Sequence, residues 1–121
     1  MNETEGALVI SAHPSRSGPV VLRLAGELDH YTGPRLRQAV EDVLRGAGAG
    51  VVADLSALEY CDSTGMTVII TAYHRAQAAG SSFSVAALSP AMVQLFRVAG
   101  LDQLFTLHPS VEEAVDALGA G

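Results

Sequence analysis

Residues 7–29, "ALVISAHPSRSGPVVLRLAGELD", decide the fold class. Two aliphatic and β-branched runs, Ala7 to Ala12 and Val20 to Ala25, flank "HPSRSGP", a cluster of turn residues. The chain therefore opens with two strands around a polar turn. From Gly33 the apolar period lengthens: Leu36, Val40, Val43 and Leu44 form one helical stripe. Pro34 falls in the first turn of that helix, where its missing N–H removes no hydrogen bond.

Beyond this start, strands and helices alternate. "GAGAG" at 46–50 ends the first helix, and "VVADL" at 51–55 reads as a short buried strand. Met66, Ile69, Ile70, Tyr73 and Ala76 share one face of a second helix, which Gly80 stops. "SFSVAAL" (82–88) alternates as a strand with Phe83, Val85 and Ala87 on one side. "SPAMVQLFRVAG" (89–100) is a short helix with Ser89 as cap, Pro90 in the first turn and Gly100 past the end. "QLFTL" (103–107) is a final strand, and "SVEEAVDALG" (110–119) a closing helix with Ser110 and Glu113 as a capping box. The order β-β-α-β-α-β-α-β-α defines an α/β domain: a mixed, mostly parallel sheet with an initial hairpin and four helices. One domain is expected over 7–118, with residues 1–6 and the final "GAG" loose.

Composition excludes several functions. With 121 residues, one domain can bury roughly two-thirds of its unfolded surface. Thirteen acids against seven bases give a net charge of -6, the wrong sign for binding a nucleic-acid backbone. All seven bases are arginine, so chemistry that needs a lysine is excluded. The N-terminus "MNETEGALVI" lacks the basic and apolar regions of a signal peptide, and no apolar run approaches the roughly 18 residues that cross a bilayer. A soluble cytoplasmic protein, with no membrane or nucleic-acid partner, is expected.

Individual residues narrow the field further. Four histidines, at 13, 30, 74 and 108, have no metal-ligand spacing, and Cys61 is the only thiol, so no metal site is expected. His30 is kept as a candidate because it follows Asp29 in "GELDHYT". "GAGAG" lacks the lysine and hydroxyl of a phosphate-binding loop. Asp29, Asp54 and Asp62 suggest an acidic magnesium site of the phosphoreceiver type. That fold begins β-α rather than β-β, and its phosphoryl chemistry uses a lysine. "CDSTG" is not a nucleophile elbow either. Cys61 reads as a small buried hydrophobe. An enzyme reading thus has little support, and no cofactor is expected.

"YCDSTGMTVII" (60–70) remains. One short polar side chain caps a helix, and Asp62 or Ser63 would suffice. Two hydroxyls behind a carboxylate are more than a cap requires. The stretch follows a strand, so it lies where ligands and partners gather, outside the strand carboxyl ends.

Two motifs, "LAGELDHYT" (24–32) and "DSTGMTVI" (62–69), resemble those of the STAS-domain anti-sigma factor antagonists. "LSPAMVQLFRVAGLDQLF" (88–105) is similar to the family's third helix and following strand. The resemblance covers nearly the whole chain in one register. It implies a binding switch: an anti-sigma factor that is also a serine kinase phosphorylates Ser63, the unphosphorylated form binds that kinase and frees the sigma factor, and a metal-dependent serine phosphatase resets it. ATP and magnesium would belong to the kinase. Asp29 would help engage the kinase, and Asp29, His30, Asp62, Ser63, Thr64 and Gly65 would form the binding face. Many relatives follow the motif with leucine and a small residue; here Met66 and Thr67 stand instead, which leaves kinase identity open. The expected geometry has an exposed Asp29 carboxylate, Ser63 on non-helical backbone and Thr64 packed toward the helix. The alternative reading is a STAS scaffold subunit of a transport or stress-sensing assembly, without phosphorylation.

Overall fold

The computed structural model describes residues 8–46 and 50–120, with only the backbone described at 119 and 120. The first six residues expected to be loose, Ala7 at the expected strand start, the middle of "GAGAG" and Gly121 lie outside the described residues. Five strands form one sheet in chain order: β1 (Leu8–Pro14), β2 (Val20–Leu28), β3 (Val51–Cys61), β4 (Phe83–Ala86) and β5 (Leu107–His108). β1 pairs antiparallel with β2, and every other pair is parallel. Four helices, α1 (Gly33–Arg45), α2 (Ser63–Ala78), α3 (Pro90–Val98) and α4 (Val111–Ala120), complete the expected order.

Helices cover both faces of the sheet. Val51 and Ala53 of β3 enter one core and Val52 the other, as alternate residues of a doubly covered strand must. The larger core gathers Leu36 and Val40 of α1, Val68 and Ile69 of α2, and Phe96 of α3. The smaller packs Ala114 of α4 on Val21, Val52 and Ala86. Leu24, Leu28, Leu36 and Ile69 are wholly buried. Each such side chain contributes about 1.5–3 kcal/mol before entropy is counted.

β2 and β3 both outrun their expected ends, and β3 has a physical reason. Its core-facing residues are Val51, Ala53 and Leu55, then Leu58, then Cys61. The spacing changes from two to three because the register against β2 slips twice, between Arg23 and Ala25 and between Gly26 and Glu27. Each slip is a bulge that adds one residue to β3. Alternation therefore ends at Leu55 while the strand continues to Cys61.

Other expectations are corrected in detail. The buried stripe of α2 is Gly65, Val68, Ile69, Ala72 and Ala76, so Met66, Ile70 and Tyr73 lie at its half-buried margin. All four residues of β4 are buried, because the strand is covered on both faces. "QLFTL" is mostly not a strand: Leu101–Gln103 make a 3-10 turn, Phe105 packs into the core and β5 is only two residues long. α4 keeps helical backbone through Ala120, past the Leu118 boundary, and Ser110 Oγ caps it by accepting the Glu113 N–H at 3.1 Å.

Ala87, expected on the face of Phe83 and Val85, leaves the strand with a φ of 63°. Its N–H donates to His108 O at 3.0 Å, which holds it in this left-handed conformation. A Cβ there costs about 1 kcal/mol. Ala87→Gly should therefore raise the unfolding free energy by about 0.5–1 kcal/mol in urea, and Ala87→Val should lower it. Equal midpoints for all three chains would refute the strain.

Candidate functional site

The two sequence motifs meet at the carboxyl ends of β2 and β3, where Leu28 pairs with Cys61. Just beyond, the Asp62 N–H donates to Leu28 O at 3.4 Å. Gly65, in the first turn of α2, presses on the same carbonyl: a Cβ there would lie 2.5 Å from Leu28 O and 3.0 Å from Cys61 Sγ. Gly33, at the start of α1, seats against Val68 of α2, where a Cβ would meet Cγ2 at 2.8 Å. Both helix starts are thus docked by glycines, and the loops they carry share one rim.

Asp29 builds its loop instead of standing free. Its Oδ1 accepts the N–H groups of Tyr31 at 2.9 Å and Thr32 at 3.1 Å. Thr32, buried at 1% exposure, ties the loop from inside. Its hydroxyl donates to Glu27 O at 2.9 Å and accepts the Asp29 N–H at the same distance. The expected exposed carboxylate is therefore half-buried and engaged, because a turn this tight must satisfy its own N–H groups. His30 is exposed, its ring edge-to-face with Tyr31 at 5.4 Å.

Asp62 is the cap of α2. Its backbone is extended, its Oδ1 accepts the Gly65 N–H at 2.8 Å and its carbonyl accepts the Met66 N–H at 2.9 Å. Ser63 is the first helical residue rather than part of the preceding turn, and Thr64 the second. Both are exposed, so the expected packing of Thr64 is corrected: the second position of a helix faces outward when the third, Gly65, faces the sheet. Thr67, one turn on, donates its hydroxyl to Ser63 O at 3.0 Å.

Cys61 is buried at the end of β3, as read from its position. Burial, and then the nearby Asp62 charge, push its thiol up to about 12. Two residues escaped the sequence reading although the quoted motifs contain them. Tyr31 is 75% exposed and Tyr60 49% exposed, one on each of the two segments that form the rim. Position directly before or after a turn was the available signal. Among the described residues no group of acidic, histidine or cysteine side chains could hold a metal ion, and no helix is long and apolar enough to cross a membrane.

A family model described as "Mlab, STAS domain" matches residues 11–108. The anti-sigma F factor antagonist of Paenibacillus polymyxa is 30% identical over 102 residues, covering 84% of this chain and 85% of its own. The chain belongs to the STAS-domain family of anti-sigma factor antagonists. A crystal structure of an anti-sigma factor antagonist from Mycobacterium paratuberculosis superposes with a TM-score of 0.82 at 30% identity, over 92% of this chain and 93% of that one. The phosphorylated form of the Bacillus cell fate determinant SpoIIAA shares the fold, with a TM-score of 0.67 at 24% identity over 91% of this STAS chain and 99% of its own.

Asp29→Ala should lower unfolding free energy by about 1–2 kcal/mol, since two N–H groups lose their acceptor, whereas Asp29→Asn keeps an oxygen there and should fold nearly as well. Chemical denaturation of the three chains separates the turn role from the charge; equal losses in both variants would contradict it. Cys61 should resist a thiol reagent at mildly alkaline pH until the chain unfolds. Because the folded pKa is raised, its contribution to stability is present below about 9 and is lost as pH rises toward about 12. Rapid labelling of the native protein would contradict this burial.

Proposed function

We propose that the protein is an anti-sigma factor antagonist whose binding is switched by phosphorylation of Ser63. The observation that carries this reading is the exposed Ser63 on the first residue of α2, beside the Asp62 cap. A helix start has N–H groups without intrahelical partners, and Asp62 takes that of Gly65. Those of Ser63 and Thr64 are left to face an added phosphate. The helix dipole favours that phosphate by about 0.3–1 kcal/mol, while Asp62 and Asp29 oppose it. The fold itself therefore tolerates the modification.

A partner interface does not. A phosphoserine carries about -1.5 to -2 charge at neutral pH, and burying it unpaired at a protein contact costs several kcal/mol. On this reading the unphosphorylated rim, with Asp29, His30, Asp62, Ser63, Thr64 and Gly65, binds a serine kinase that is also the anti-sigma factor. Phosphorylation ends that binding, and a metal-dependent serine phosphatase restores it. The protein acts in the cytoplasm as acceptor and binding module, not as an enzyme. The existence of SpoIIAA in a phosphorylated form supports the same chemistry on this fold.

Ser63 and Thr64 are both exposed, so burial does not exclude either. The primary hydroxyl of serine, without a β-branch, is the easier one to bring in line with a γ-phosphoryl group. With a kinase-type anti-sigma factor and ATP, the wild type and Thr64→Ala should gain one phosphate by mass. Ser63→Ala should gain none yet bind the kinase, and Ser63→Asp should bind weakly. Phosphate mapped to Thr64, or undiminished labelling of Ser63→Ala, would sink the assignment. Binding to a transport or stress-signalling assembly, with no labelling by any such kinase, would instead favour a scaffold role.

A further inference from the structure

Ser63 opens α2, and a residue in that position has few ties to its helix. Its N–H has no intrahelical partner, so helical hydrogen bonding reaches it through its carbonyl alone. Both donors to that carbonyl come from Thr67. The Thr67 N–H bonds it as the α-helical pattern requires, and the Thr67 hydroxyl donates to the same oxygen at 3.0 Å. Thr67 is exposed, so burial does not force this contact. In a helix the threonine side chain divides between two rotamers, and bonding the carbonyl four residues back selects one of them. Thr67 also lies one turn behind Ser63 on the same exposed face.

We propose that Thr67 is a positioning residue for phosphorylation of Ser63, acting through the Ser63 carbonyl; this rests on the reading of Ser63 as phosphoryl acceptor. In that transfer the Ser63 O–H bond and the bond from the γ-phosphorus of ATP to its bridging oxygen break. The Oγ–P bond forms, ADP leaves and the proton passes to the kinase. Thr67 neither gives nor takes a proton. Its part is geometric, because the reaction depends on an acceptor oxygen held in line with the γ-phosphoryl group. Helix ends fray, and the first residue frays first. A second donor on the Ser63 carbonyl restrains the peptide plane that follows Cα, and with it the direction in which the Cα–Cβ bond leaves the helix. One χ1 torsion is then left to place Oγ. The bond is already made in the unphosphorylated chain, so it presents the acceptor without adding a contact to the kinase. The effect therefore falls on kcat and not on KM.

The test measures kcat and KM for phosphate transfer to the full chain from a kinase-type anti-sigma factor and ATP. Thr67→Val keeps the side-chain shape and deletes the hydroxyl. It should lower kcat about two- to fivefold, the worth of one hydrogen bond, and leave KM unchanged. Thr67→Ser keeps the hydroxyl and should restore the wild-type kcat. Thr71→Val, one turn further along the same exposed face, should match the wild type. In NMR spectra of the free chains, the Ser63 carbonyl carbon should move in Thr67→Val and return in Thr67→Ser, with melting curves that coincide. A Thr67→Val chain phosphorylated at the wild-type kcat, or a loss confined to KM, would overturn the proposal. So would a Thr67→Ser chain as slow as Thr67→Val, or an equal loss in Thr71→Val. A wild type that gains no phosphate on Ser63 overturns it as well, by removing the reading beneath it, so the wild type tells the two failures apart.

Discussion

The close approach of Gly65 to the carbonyl of Leu28 is the constraint on which the rest of the site depends. No side chain fits between α2 and the end of β2, because even a Cβ would sit 2.5 Å from that oxygen. The same carbonyl receives the Asp62 N–H, so the last residue of β2 positions both the cap and the first turn of α2. Gly33 against Val68 repeats the device one layer out and brings α1 onto α2. Further along, Arg75 grips Glu41 with two hydrogen bonds of 2.6 and 2.8 Å, joining the same two helices. That pair is exposed and contributes little on its own. Glycine contacts set the spacing; the ion pair only holds its far end.

Both aspartates on the rim are acceptors for backbone N–H groups before they are anything else. Asp62 closes the start of α2, and Asp29 closes the turn after β2. A carboxylate fixed in this way has a defined position and a remaining oxygen for other contacts. The rim can thus be stiff and still present negative charge, hydroxyls and two exposed tyrosines to a flat partner. Under the proposed switch, local structure and recognition would draw on the same residues, so a substitution at Asp29 or Asp62 would change both together.

Much of this was legible in the chain itself. The helical stripe from Leu36 and the caps at Ser89 and Ser110 each act locally and were found where expected, while the turn expected at 13–19 begins only after Pro14, because His13 and Pro14 still pair with β2. What failed depends on neighbours far away in sequence. The two bulges of β3 exist only because β2 lies alongside, so period-two reading stopped at Leu55. β4 looks like an alternating strand, but helices on both faces bury all of it. Of the site, the exposure of Ser63 was readable, while its place inside the first turn of α2 and the engagement of Asp29 were not. That engagement hinges on Thr32, whose buried hydroxyl has no signature in composition or spacing.

The shortness of β5 has a consequence for assembly as well as for the core. Strand addition needs a run of unpaired backbone, and a two-residue edge supplies too little to template another chain. A sheet that can be extended on one side only cannot propagate: whatever joins at β1 finishes the sheet. The fold thus has a built-in terminator against open-ended polymerisation, independent of any charge on its surface.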